Sequence, residues 1–127
     1  MELSLKNKNA IVCGSSQGIG EASAVELAKI GANITLIARN ESKLLSVLSD
    51  LDNSHGQTHS FVCIDFKDSK KLKEKINLLK ETYHILVNNT GGPANGPITD
   101  ANTESFEDAF RMHLVNNQIL VQKLVEG

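Results

Sequence analysis

One short segment constrains this chain more than any other: Cys13-Gly14-Ser15-Ser16-Gln17-Gly18-Ile19-Gly20. It follows the apolar, β-branched run Asn9–Cys13 and opens an amphipathic stretch, so three glycines crowd a strand-to-helix junction. Gly14 lets the chain leave the strand in a tight turn. Gly18 lets the backbone come close to a pyrophosphate, and Gly20 lets the helix pack against the sheet. Free amides of the first helical turn, and the positive end of the helix dipole, then face an anion. The alternative is an ordinary strand–helix turn, and the strand before and helix after argue against it.

The remaining sequence repeats the same alternation. Apolar runs predict strands at Asn9–Cys13, Asn33–Ala38, Ser60–Ile64 and His84–Asn88. Between them, helical spacing predicts helices over Gly18–Ile30, Glu41–Leu51 and Ser69–Lys80. The first should bury Ile19, Ala22, Val25, Leu27 and Ala28, and Gly31 should stop it. The second should bury Leu44, Leu45, Val47 and Leu48, with Asn40 as its cap, and Asp68 should cap the third. A loop rich in Gly, Pro and Asn covers 89–103, and a last helix capped by Thr103 runs to the end. Strands buried on both faces and alternating with helices imply an α/β, doubly wound Rossmann-type parallel sheet. The expected strand order is 3-2-1-4, stopping before the fifth strand of the full 3-2-1-4-5-6 pattern.

Composition narrows the function classes. The 127 residues suit one domain over 1–127, with 40% hydrophobic residues to form a core and 22% charged residues. The net charge of −2 comes without a basic patch, which argues against a nucleic-acid partner. Lysines 70, 71, 73, 75 and 80 are interrupted by Glu74 and Glu81 and read as a solvated helix face. Cys13 and Cys63 sit inside apolar runs with no metal-ligand spacing, so the expectation is two buried, reduced thiols, no metal site and a cytoplasmic location. No apolar run reaches the roughly 20 residues of a membrane span, and residues 1–10 lack a signal-peptide core.

The spacing of the turn, Gly-x-x-x-Gly-x-Gly, resembles that of the short-chain dehydrogenase/reductase family. Ile85-Leu86-Val87-Asn88-Asn89-Thr90-Gly91 is similar to the family's Asn-Asn-Ala-Gly motif, with Thr90 in the alanine place, and Asp65 matches an adenine-contacting Asp. The resemblance runs from Lys8 to Glu126, and within the family it points toward 3-oxoacyl-carrier-protein reductases. It implies a dinucleotide cofactor, a small carbonyl or alcohol substrate, and self-association through the last helix. The implied cofactor-binding set is Gly14, Ser15, Ser16, Gln17, Gly18, Ile19 and Gly20, then Arg39, Asn40, Asp65 and Phe66, and finally Asn89, Thr90 and Gly91. Asp65 also has a plainer role as a turn former, and Asn88 and Asn89 as ties between loops. The segment 92–97 would form an active-site rim or a rigid connection.

The second strand selects the nucleotide. An acid about 20 residues past the glycine turn would hold the ribose hydroxyl of NAD. Here the strand ends Leu36-Ile37-Ala38-Arg39-Asn40, with no acid, and Arg39 lies nineteen residues beyond Gly20. A guanidinium fork suits a 2′-phosphate, so NADP(H) is expected over NAD(H). Against this, the turn itself carries Ser16 and Gln17 where many NADP-preferring relatives carry a basic residue.

By the resemblance, chemistry would need a Tyr-x-x-x-Lys pair, a serine and an asparagine on the fourth helix. His113 falls at the asparagine position, or Asn116 if the register is off by three. Tyr83 is the single tyrosine and position 87 is valine, so the pair is missing from these residues and Tyr83 reads as a packing residue. The expectation is a cofactor-binding half that turns over nothing by itself. A nucleotide-binding module without hydride chemistry is the alternative.

Overall fold

The computed structural model describes residues 3–89, 99 and 102–125. Four parallel strands form one sheet in the order β3-β2-β1-β4. They are β1 (Asn9–Cys13), β2 (Asn33–Ala38), β3 (Ser60–Cys63) and β4 (Ile85–Val87). β1 and β2 pair in register from Asn9↔Asn33 to Cys13↔Ile37, and β4 lies on the other side of β1 from Ala10↔Ile85 to Val12↔Val87. Because every strand runs the same way, the segments after Cys13, Ala38, Cys63 and Val87 leave the sheet at one edge, where an open α/β sheet places its ligand.

Alternation along β1 splits the core in two. Ala10 and Val12 face helices α1 (Gly18–Lys29) and α2 (Glu41–Asp50), in a cluster with Ala24, Ala28, Leu36 and Leu44. Ile11 and Cys13 face the other side and pack with Leu72 and Ile76 of α3 (Ser69–Asn77) and with Leu120. Both central strands are covered on both faces, as a doubly wound sheet requires.

The helices depart from expectation in instructive ways. α1 buries Gly20, Ala24 and Ala28, while Ala22 is exposed and Ile19 is 77% exposed. Small residues four apart bring the helix close to the sheet, and Val25 and Leu27 pack only at its flanks. In α2, Leu44 and Val47 are buried but Leu45 is half exposed. α3 ends at Asn77 rather than Lys80. Asn40 and Asp68 cap α2 and α3 by accepting from Lys43 N and Lys71 N. Asn102, not Thr103, caps the last helix, accepting from Ser105 N at 2.7 Å.

That last helix is not regular. α4 (Thr103–Phe110) passes through a π-helical turn at Arg111–Val115 into α5 (Asn116–Val125). A π turn carries one extra residue and rotates the helix beyond it relative to the helix before it. Asn116 and Leu120 are therefore buried against α3 and the sheet, while Phe106 and Phe110 are more than half exposed. Among the described residues no helix is long and apolar enough to cross a membrane.

Candidate functional site

The glycine turn sits at the strand-end edge, fixed from two sides. Gly14 N donates to Ile37 O of the neighbouring strand. The Asn89 side-chain amide, just beyond β4, donates to Gly14 O at 3.5 Å. A Cβ on Gly14, whose φ is +61°, would lie 2.2 Å from Asn89 O, and one on Gly20 would lie 2.1 Å from Gly14 O. These two glycines let the turn, α1 and the end of β4 interlock. Gly18 differs: its φ is +62°, yet a Cβ there meets nothing within 4 Å. The space over Gly18 is open.

Two features suit this turn to an anion. α1 starts without a side-chain cap, since Gln17 is extended and makes no capping bond, so the first-turn amides are left to a partner from outside. Ser15 is fully buried, and its hydroxyl has no hydrogen-bond partner among the described residues. A buried hydroxyl without a partner costs free energy that a phosphate oxygen would recover. The residues present therefore fit the pyrophosphate of a dinucleotide. Ile19 lies exposed at the mouth, and Ser16 is half-buried beside it.

Arg39 follows β2 with its side chain exposed. The Cys63 thiol donates to Arg39 O at 3.2 Å, holding the turn to β3. Arg39 opens onto a cleft of about 850 Å³ that Asp65, Lys71, Lys75 and Arg111 also line. Cys63 is only partly buried, contrary to the sequence expectation, because β3 is an edge strand. The Asn40 side-chain oxygen is already engaged, accepting from both Lys43 N and Ser42 Oγ. Asp65 is exposed and accepts from Lys67 N at 2.9 Å, a turn-forming bond to one of its two carboxylate oxygens. The Phe66 ring is buried and its carbonyl accepts from Asn116. Lys43, which sequence patterning passed over, reaches from α2 to donate to Gln17 Oε1 at 2.9 Å.

The two candidates on the last helix separate cleanly. Asn116 is completely buried and both ends of its amide are used, accepting from Ser69 Oγ and donating to Phe66 O. It ties α5 to the β3–α3 connection, in a fully buried position. His113 lies half-buried in the π turn, and Asn117 Nδ2 donates to its carbonyl at 2.6 Å. Helical spacing puts Phe106, Phe110 and Asn117 on one face with His113, yet Phe106 and Phe110 are more than half exposed. Tyr83 sits just before β4, at the opposite edge of the sheet, with its hydroxyl near Thr35 Oγ1 and Glu81 Oε2. Burial raises its pKa further above the ordinary value. Thr90, Gly91 and the segment 92–97 lie outside the described residues.

Known proteins resemble this chain. The chain is 34% identical over 122 residues to the 3-ketodihydrosphingosine reductase of Mus musculus, covering 91% of this chain and 37% of that protein. It is 31% identical over 122 residues to the inactive hydroxysteroid dehydrogenase-like protein 1 of Homo sapiens, covering 93% of this chain and again 37% of the relative. The chain thus spans little more than a third of the length of these curated relatives. Among solved structures, L-sorbose reductase from Gluconobacter frateurii, in complex with NADPH and L-sorbose, superposes with a TM-score of 0.87 at 29% identity over 99% of this chain and 49% of that one. The family model described as short chain dehydrogenase matches residues 8–126. With nearly its whole length matched, and the glycine turn built as above, the chain belongs to the short chain dehydrogenase family.

Proposed function

We propose that this chain is the cofactor-binding part of an NADP(H)-dependent oxidoreductase acting on a small carbonyl or alcohol. The observation that carries this reading is the Ser15 hydroxyl, fully buried and without a partner among the described residues, close in sequence to the uncapped start of α1. The cofactor, when bound, supplies the hydride. This chain's residues hold it: the turn from Gly14 to Gly20 takes the pyrophosphate, and Arg39 and the Asp65–Phe66 edge flank the adenosine. Thr90, Gly91 and His113 belong to the nicotinamide end. Arg39, rather than an acid, directly follows Ala38 at the end of β2, which supports NADP(H) over NAD(H). A 3-oxo group, as in 3-oxoacyl-carrier-protein reduction, is the first substrate to screen; the mouse relative's name likewise specifies a 3-keto compound.

The same reading makes these 127 residues inactive alone, because Tyr83 is their one tyrosine and no lysine follows it by four. A half that only binds would also need a partner. Phe106, Phe110, Leu114 and Val121 are exposed along the last helix, which supports association with a second copy. The test is fluorescence titration with NADPH and NADH, alongside a ketone-reduction assay. Tighter NADPH binding without turnover is the expected result. Absence of any nucleotide binding overturns the reading, and turnover by these residues alone overturns the claim of inactivity.

A further inference from the structure

The glycine turn lacks a basic residue, yet an ammonium is bonded to one of its side chains. Lys43 Nζ donates to Gln17 Oε1 at 2.9 Å, bridging the start of α2 to the start of α1. We propose that Lys43 is a specificity-determining residue for the 2′-phosphate of NADP(H), supplying from α2 the positive charge that Ser16 and Gln17 do not. This inference rests on the NADP(H) reading above.

The placement follows from the sheet. β1 and β2 are paired neighbours, and Gly14 N donates to Ile37 O, so the glycine turn and the Arg39 turn leave the same edge side by side. An adenosine running from the pyrophosphate at α1 toward the end of β2 must pass its ribose between these turns. Arg39 flanks that passage on one side. Lys43 links the two turns, its Nζ bonded to Gln17 and its backbone amide held by the Asn40 cap. Glu41, in the first turn of α2, is the acid nearest in sequence, and Asp65 lies across the cleft with one oxygen engaged by Lys67 N. An ammonium has three donors, and the Gln17 bond uses one of them. Two remain for an anion. The Gln17 side chain thus acts as a holder, aiming a lysine that would otherwise roam in solvent.

Adenosine fragments isolate this end of the cofactor from any chemistry. Binding of 2′,5′-ADP and 5′-AMP is measured by calorimetry on the purified protein and on Lys43→Met, Lys43→Arg, Gln17→Ala and Arg39→Ala variants, with circular dichroism to confirm folding. Lys43→Met should weaken 2′,5′-ADP about tenfold, the loss of one charge-assisted bond. It should leave 5′-AMP within about twofold, and Lys43→Arg should keep the preference. Gln17→Ala should show a smaller loss of the same kind. If the wild type prefers 2′,5′-ADP, Arg39→Ala removes that preference and Lys43→Met does not, the inference fails while the NADP(H) reading stands. If Lys43→Met weakens both fragments equally, Lys43 is not a specificity residue. If the wild type binds both fragments equally, the NADP(H) reading fails and takes this inference with it.

Discussion

Asn89 and Gly14 hold each other in place. The Asn89 side chain donates to the Gly14 carbonyl, and its own backbone oxygen occupies the space where a side chain on residue 14 would begin. The pair joins the ends of β4 and β1, and it sets the shape of the turn before any ligand arrives. The glycine at 14 is thus demanded twice, by a φ of +61° and by a backbone atom 2.2 Å from where a Cβ would stand.

Gly14→Ala should accordingly destabilise the fold by about 3 kcal/mol, combining left-handed strain with overpacking. Chemical denaturation monitored by circular dichroism measures it. A loss below that expected from the φ angle alone would mean that the Asn89 contact relaxes.

Gly18→Ala probes the other half of the same motif. Its φ is as positive, but its surroundings are open. The stability cost should stay near 1 kcal/mol. Dinucleotide affinity should fall sharply, because the added methyl occupies the approach of the pyrophosphate. A variant that binds NADPH as well as the wild type does would refute that role.

Ser15→Ala should move stability and binding in opposite directions. Removing a buried hydroxyl without a partner should raise stability by about 1 kcal/mol. NADPH affinity should drop, since the anion loses a donor. Melting curves with and without nucleotide report both effects, and a stability loss on mutation would show that the hydroxyl is satisfied in the free protein.

How much of the molecule is legible in its sequence depends on how local each signal is. β1 and β2 appear within their predicted bounds because Ala10–Cys13 and, apart from Thr35, Ile34–Ala38 are apolar on both alternating faces and are buried from both sides. The α1 face is misjudged because Ile19, though apolar, belongs to the mouth of the turn, while Gly20 and Ala24 carry the contact by being small. No glycine or proline announces the π turn inside Arg111–Val115, so regular helical spacing, which groups His113 with Phe106 and Phe110, misjudges the inward face of the last helix. The Lys43–Gln17 and Asn89–Gly14 contacts join residues 26 and 75 positions apart, and only the parallel pairing of β1 with β2 and β4 brings them together.

Asn116 gives the clearest structural prediction on the last helix. Truncation to alanine strands the Ser69 hydroxyl and the buried Phe66 carbonyl at once. The expected loss is about 2–3 kcal/mol in urea denaturation. A near-neutral Asn116→Ala would make this residue a relay candidate again, beside His113.

Cys13 predicts how the fold responds to alkali. Burial pushes its thiol from 9.0 up to about 12. Between those values the unfolded chain has given up the proton and the native protein keeps it. The unfolded state therefore binds fewer protons, and stability falls as pH rises. The full contribution is present below pH 9, declines by about 1.4 kcal/mol per pH unit, and is gone near the folded value. Tyr83 is raised in the same direction by its own burial, so the comparison must be differential. Stability measured by urea denaturation against pH should descend more steeply in the wild type than in Cys13→Ala. Maleimide should label the partly exposed Cys63 in the native protein and reach Cys13 only after unfolding. Parallel pH profiles for the two proteins would mean that the Cys13 thiolate is tolerated in the core.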